Sequence, residues 1–256
     1  MGLSAAAGLV AADGSLVSLR LGRYSARIGQ GADLRDAALA VRRTAFRGGC
    51  DDTDPFDIDS LHGIVETGPG QTSVAFRARL ITRPDSLDQC YTGQFYGMGP
   101  LGSHPGPYLE LGRFCQAEGM PDFMALQLAW AALGVLVDRH AVTLMIGCSS
   151  FPGADPDRHR AALALLRARH LGPEALRPTR TSPRAIDLPD GAADATQLPT
   201  LLRSYLGMGG WVSDHAVCDP DLDRLHVFTG LAIDSIPEAR KARLRALAQS
   251  AQTGPP

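Results

Sequence analysis

Apolar and polar positions alternate along Leu21–Gly29, along His62–Thr67 and Ser73–Thr82, and again along Leu109–Arg113. A period of two sends successive side chains to opposite faces of a strand, so each stretch predicts a strand. The Gly68-Pro69-Gly70 turn makes the middle two a hairpin. After Gly29 the period lengthens. Leu34, Ala37, Ala38, Val41 and Ala45 share one helical face behind Asp33, which predicts a helix capped by Asp33 and running through Phe46. Pro121-Asp122 opens a second helix to about His140, with Phe123, Leu126, Trp130, Leu133 and Val137 on one stripe. Val142–Cys148 is a short continuous apolar run and predicts a buried strand. Asp155-Pro156 joins a capping residue to a proline at the first helical position, which starts a helix to about Arg169. Leu198–Leu206 reads as a short helix stopped by Gly207. Val212–Val217 and His226–Ile233 read as late strands, and Ser235 and Pro237 begin a final basic helix.

Between these elements lie an acidic loop, Gly48–Ser60, an irregular Gly- and Pro-rich stretch, Arg83–Pro107, and a polar, Pro- and Arg-containing excursion at 172–195. Residues 1–19 are expected to form a flexible tail, residues 20–250 a single domain, and residues 251–256 a disordered end. The interleaving of strands and helices argues for an α/β fold with a mixed central sheet flanked by helices.

Composition narrows the function classes. A chain of 256 residues with 45% hydrophobic content can bury a large core. The net charge of −2 gives no whole-chain attraction for nucleic acid. No apolar run approaches the ~20 residues of a spanning helix. The start has no basic segment before its weakly apolar stretch, and Ala6 stands where a myristoylation signal needs Ser or Thr. Five scattered cysteines (Cys50, Cys90, Cys115, Cys148, Cys218) show no paired metal spacing, so no metal and a reduced, cytoplasmic setting are expected. Peripheral residence on the inner face of a membrane stays open.

Candidate chemistry centres on Glu110. A carboxylate inside a strand pattern is costly unless it is paired or accepts protons, and Arg113 ends the same strand. A structural Glu–Arg pair satisfies the pattern equally well. Asp51, Asp52, Asp54, Asp57 and Asp59 have no Lys or Arg near them from Gly48 to Gly70, so this loop would attract a cation, with Asp57 the favoured residue. A calcium loop is a weaker reading, because the terminal Glu is missing. Arg158, Arg160, Arg167, Arg169, Arg177, Arg180 and Arg184 stand against a single acid, Glu174, and offer a surface for an acidic partner or an anionic bilayer; a solvated helix face is the alternative. Ser149-Ser150 with His159 and Asp155 lacks the nucleophile-elbow glycines of a serine hydrolase.

Taken together, Val41–Phe46, Phe56-Asp57 with His62, Phe76–Leu80, Leu109–Arg113, Gly147–Pro156 and Leu198–Val227 resemble, in order, the ornithine lipid N-acyltransferases. That family is related to the acyl-homoserine-lactone synthases within the GNAT-like fold of acyl-CoA N-acyltransferases. The resemblance implies an enzyme that joins a 3-hydroxyacyl chain from acyl carrier protein to the α-amine of ornithine, giving lyso-ornithine lipid. It also implies that Arg42, Phe46, Asp57, Arg79, Glu110 and Arg113 shape the active site. Glu110 and Arg113 are the expected catalytic pair. Leu111, Phe114, Cys115, Arg79, Ser149 and Ser150 are expected along the acyl donor; Arg42, Phe46, Asp57 and His62 at the amino-acid acceptor; Arg158, Arg160 and Arg167 at the carrier protein. Leu61, Thr44 and Phe114 depart from the family pattern. Amide formation from a thioester needs a base for the ammonium and donors for the oxyanion; the strand N–H groups of Leu111–Cys115 could supply the latter. Many coenzyme A enzymes of this fold cradle the pyrophosphate in a Gly-rich loop. Here Gln116-Ala117-Glu118-Gly119-Met120-Pro121 keeps one glycine and adds an acid, which favours phosphopantetheine on a carrier protein and no separate cofactor. The alternatives are the same chemistry on glutamine or another amino acid, a homoserine-lactone synthase, and a non-catalytic module of the same fold.

Overall fold

The computed structural model describes residues 14–119 and 122–252. Its strands are β1 (Val17–Leu21), β2 (Tyr24–Gly29), β3 (Leu61–Glu66), β4 (Thr72–Ile81), β5 (Tyr96–Gly97), β6 (Tyr108–Gln116), β7 (Leu144–Pro152), β8 (Thr179–Arg180), β9 (Ala185–Asp187), β10 (Trp211–Asp219) and β11 (Arg224–Ala232). The helices are α1 (Ala32–Arg47), α2 (Phe123–Arg139), α3 (Arg160–Arg169), α4 (Thr200–Leu206) and α5 (Glu238–Gln252). The mixed α/β class expected from the sequence, a large mixed sheet with helices packed on it, is the observed one. The chain clusters into two compact units, and β4 and β6 pass from one to the other after Ala78 and after Gly112.

The first unit takes the residues up to Ala78, Arg113–His140 and those from Lys241 on. Its strands run β1-β2-β3-β4-β6, the first four pairing antiparallel in succession. Helices α1 and α2 pack on this sheet. Leu34, Ala38 and Val41 of α1 bury against Ile64 and Ala75, as their helical spacing requires. Residues 1–13 and 253–256 of the two expected tails lie outside the described residues; the rest is corrected here, because Val17 and Leu19 alternate into the core, β1 hairpins onto β2, and Ala251 is buried in α5. The cap of α1 is Gly31, with no side-chain bond; Asp33 lies in the first turn and pairs with Arg27 at 3.2 Å. In α2, Asp122 is the cap as expected, accepting from the amides of Met124 and Ala125, but Phe123 leaves the apolar stripe and is 72% exposed.

The second unit takes Arg79–Gly112 and Ala141–Arg240. Its main sheet runs β6-β7-β11-β10-β9. β6 and β7 are parallel, matching Tyr108 to Leu144, Leu109 to Met145 and Glu110 to Ile146; the other pairs are antiparallel. One face packs Leu163, Leu166 and Leu202 of α3 and α4 against Val212, Leu225 and Val227. The other face is covered by the stretch 83–107, whose Leu87, Tyr96, Met98 and Leu101 are fully buried although it carries only 3₁₀ turns and a two-residue strand. The excursion 172–195 is also more than a polar surface loop: Ala185–Asp187 adds the edge strand β9 and Leu188 is buried.

Candidate functional site

In the second unit, strand β6 is covered on both faces, so Glu110 is 5% exposed and must find partners. It finds them in the 3₁₀ turn at Thr92–Gln94. Glu110 Oε1 accepts from the Thr92 amide at 2.7 Å and the Thr92 hydroxyl at 2.6 Å, and Oε2 accepts from the Tyr91 amide at 3.2 Å. These three donors, joined by the side chain of Cys90, orient the group. Beside it, the Cys148 thiol of β7 reaches the Thr92 hydroxyl at 3.8 Å. Arg79 donates to the Gln89 carbonyl at 2.9 Å and so holds the same stretch of chain. Gly147 lies where β6 and β7 stop pairing; a Cβ there would sit 2.3 Å from the Leu111 carbonyl oxygen, so only glycine allows this approach. Leu111 is buried. Ser149 is buried too and accepts from the Thr229 hydroxyl at 2.8 Å; Ser150 pairs across to His226.

In the first unit, four arginines converge on the acidic loop. Arg42, fully buried on α1, bonds Asp52 at 2.7 Å, Asp57 at 2.6 and 3.2 Å, and the Asp52 carbonyl at 2.6 Å. Arg77 on β4 bonds Asp54 and Asp57, the latter at 3.0 Å. Arg113 reaches Asp52 at 3.0 Å and Asp54 at 3.3 Å, while Arg47 approaches Asp52 at 3.4 Å. Arg113 sits at φ 52°, a left-handed conformation unusual for a side-chain-bearing residue, and this kink re-aims it out of the strand's alternation. Its guanidinium lies 5.5 Å from the centre of the Phe46 ring. Burial raises the Asp57 carboxyl's pKa, but the Arg42 hydrogen bonds, the Asp54 amide and the charges of Arg42 and Arg77 outweigh it and bring it down to about 2. His62 faces the Asp57 carbonyl through Nε2 at 3.1 Å. Burial, joined by the nearby arginine charges, holds it below the usual imidazole range and therefore neutral.

Arg42, Phe46, Asp57, His62 and Arg113 are thus brought together, but not as a free cation trap. The loop that lacks local cations has its charge matched by arginines from α1, β4 and β6. Phe114 is stacked between Phe76 and Trp130, at 5.5 and 5.8 Å. Cys115 packs against the α1 core, where burial pushes its thiol up to about 12. Sequence reasoning placed Asp52 and Asp54 only in a cation-attracting loop and left Arg77 and Thr92 without roles. The usable signal was Arg77 itself, because an arginine among buried strand residues needs an acid. The basic surface is also more balanced than it reads: Arg167 pairs with Asp190 at 2.7 Å, Arg160 with Asp157 at 3.8 Å, Arg177 with Asp214 at 3.9 Å, and Arg180 with Asp187. Among the described residues no helix is long and apolar enough to cross a membrane.

No family model matches the chain. It is 31% identical over 178 residues to a curated L-ornithine N(alpha)-acyltransferase of Rhodobacter capsulatus, covering 66% of this chain and 68% of that protein. It is 29% identical over 259 aligned residues to one of Rhizobium meliloti, covering 89% and 86%. Solved structures similar to it include an N-acyl amino acid synthase from uncultured soil microbes (12% identity, 83% of this chain and 93% of that one, TM-score 0.47) and an AHL synthase (12%, 90% and 95%, TM-score 0.41).

Proposed function

Since the chain belongs to the L-ornithine N(alpha)-acyltransferase family, we propose that it transfers a 3-hydroxyacyl chain from acyl carrier protein to the α-amine of ornithine, forming lyso-ornithine lipid. The observation that carries this reading is the similarity to the Rhizobium meliloti protein along nearly the whole of both chains. In the reaction the amine nitrogen attacks the thioester carbon, the C–N bond forms, the C–S bond breaks, and the thiolate leaves to be protonated. A proton must leave the amine, because an α-ammonium is not a nucleophile. Glu110 accepts it on Oε2, directly or through one water, while Thr92 and Tyr91 hold the carboxylate in place. Arg113 and Arg42 act by position, fixing the acidic loop. The degraded Gln116–Pro121 loop supports carrier protein over free coenzyme A.

The test is purified protein with 3-hydroxyacyl carrier protein, 3-hydroxyacyl coenzyme A, ornithine and glutamine, with products read by mass spectrometry. Lyso-ornithine lipid from the carrier-protein donor is expected. Equal catalytic efficiency with coenzyme A removes the donor assignment, and a preference for glutamine removes the acceptor. Charge reversal at Arg158 and Arg160 should raise the KM for carrier protein in a salt-sensitive way. An unchanged KM leaves that face as plain surface.

A further inference from the structure

A cavity of about 820 Å³ lies in the second unit, walled by Asp88 and residues 93–95 on one side and by Thr179 and residues 181–184 on the other. The first wall belongs to the turn that holds the Glu110 carboxylate. Tyr91 and Thr92 donate to Glu110, and the next residues of the chain, Gly93 and Gln94, line the cavity. Asp88 abuts the same turn: a Cβ at Gly93 would lie 2.6 Å from the Asp88 carbonyl oxygen, and Asp88 Oδ1 accepts from the Met98 amide at 3.0 Å. The second wall is strapped down at both ends. Thr179 and Arg180 pair as β8 with Tyr96 and Gly97 of β5, and Ala185–Asp187 pairs as β9 with β10, so Arg184 is held between two strands.

Arg184 differs from its neighbours in the excursion. Arg177 pairs with Asp214 and Arg180 with Asp187, whereas Arg184 makes no ion pair among the described residues. Beside it stand the hydroxyls of Thr181 and Ser182. The Ser182 oxygen accepts from the Arg184 amide at 3.2 Å, which leaves its proton for a ligand. One guanidinium flanked by hydroxyl donors suits a singly charged phosphodiester. On the Glu110 side the lining changes to the Asp88 carboxylate, the Gln94 amide and the half-buried Phe95 ring, which suit amides and apolar carbon. A phosphodiester followed by a chain of amides and methylenes is the phosphopantetheine arm. Its phosphate also needs a cation, because Glu118 stands in the Gln116–Pro121 loop where the glycine cradle of coenzyme A enzymes is expected. Cys218, on the same cavity, lies within electrostatic reach of both Arg184 and Asp155, which places this wall near the Pro156–His159 turn that carries Arg158.

We propose that Arg184, with Thr181 and Ser182, holds the phosphodiester of the donor's phosphopantetheine arm, and that the arm runs past Asp88 and Gln94 toward Glu110. The assignment rests on acyl transfer from carrier protein as given above and adds the place where the donor is held. The arm is a long chain, so its phosphate and its thioester occupy separate places: the phosphate at Arg184, the thioester beyond the turn that orients Glu110.

The experiment compares two donors that differ only in the phosphate, 3-hydroxyacyl 4′-phosphopantetheine and 3-hydroxyacyl pantetheine, beside 3-hydroxyacyl carrier protein, with ornithine as acceptor, in the wild-type protein and in Arg184→Gln and Arg184→Lys. The wild-type protein should favour the phosphorylated thioester in KM by about tenfold, the lower end for charged hydrogen bonds at an exposed site. Arg184→Gln should bring that ratio to near one by weakening the phosphorylated donor, and should raise the KM for carrier protein by a similar factor. Arg184→Lys should keep part of the preference, because it retains the charge and loses the fork. An unchanged ratio or an unchanged carrier-protein KM in Arg184→Gln, an equal loss of both thioesters there, or a raised KM for ornithine in place of the donor overturns the assignment while leaving acyl transfer standing. Failure of the wild-type protein to acylate ornithine from any of the three donors overturns acyl transfer and the assignment with it.

Discussion

Asp57→Asn separates a structural carboxylate from a substrate-reading one. Asp57 is 2% exposed in its side chain, binds Arg42 at 2.6 and 3.2 Å and Arg77 at 3.0 Å, and accepts the Asp54 amide at 3.0 Å. Its folded pKa of about 2 lies below the ordinary 3.8, and the gap corresponds to about 2 kcal/mol of stability at neutral pH. Because the folded value is the lower one, this contribution is complete well above pH 3.8 and is lost as the pH falls toward 2; roughly half remains near pH 3. Asparagine keeps the size but offers one acceptor and turns its NH₂ toward arginine, and breaking a buried ion pair costs ~3–5 kcal/mol. Since Asp52 still holds Arg42, we expect about 3 kcal/mol at pH 7, a large share of the ~5–15 kcal/mol that stabilises a domain. Urea unfolding followed by fluorescence of the buried Trp130 and Trp211 at pH 7, 5, 4 and 3 measures it. The difference between wild type and variant should shrink below pH 4. A difference under about 1 kcal/mol, or one that does not change with pH, refutes the view that this network holds the loop.

Three further outcomes are expected. Glu110→Gln should lower kcat by ~10²–10⁴, while Thr92→Val, which removes one donor to Oε1 and leaves Oε2 untouched, should lower it less than about tenfold; equal losses in the two variants would make Glu110 an anchor and not a base. Gly147→Ala should cost about 1–3 kcal/mol in a thermal melt, because its Cβ would meet the Leu111 carbonyl at 2.3 Å, and an unshifted melting temperature would show that β6 and β7 part easily there. Thiol titration at pH 8 should modify exposed Cys50 first and leave Cys115, with a pKa near 12, unmodified until the protein unfolds.

The hairpin of β3 and β4, the helix α2 with its Asp122 cap and the buried Glu110 were all legible in the chain, because periodicity and capping are properties of neighbouring residues, whereas Asp155 caps a 3₁₀ turn at Pro156–His159 and α3 begins only at Arg160, behind His159 and without a side-chain cap. Strand β1 was missed, although Val17, Leu19 and Leu21 alternate along it, because residues 1–19 were read as a tail and the first strand was begun at Leu21. Which charges are free could not be read the same way. Asp52 looks unpaired for many residues on its C-terminal side, yet Arg113, sixty-one positions later, closes on it through β6. Glu110 looks paired with Arg113, yet its carboxylate takes donors from Thr92, eighteen positions earlier. Strand order and the φ of 52° at Arg113 decide these partners. Local sequence sets which side chains must be buried or capped, whereas the match of one buried charge to another depends on distances that only the folded chain defines.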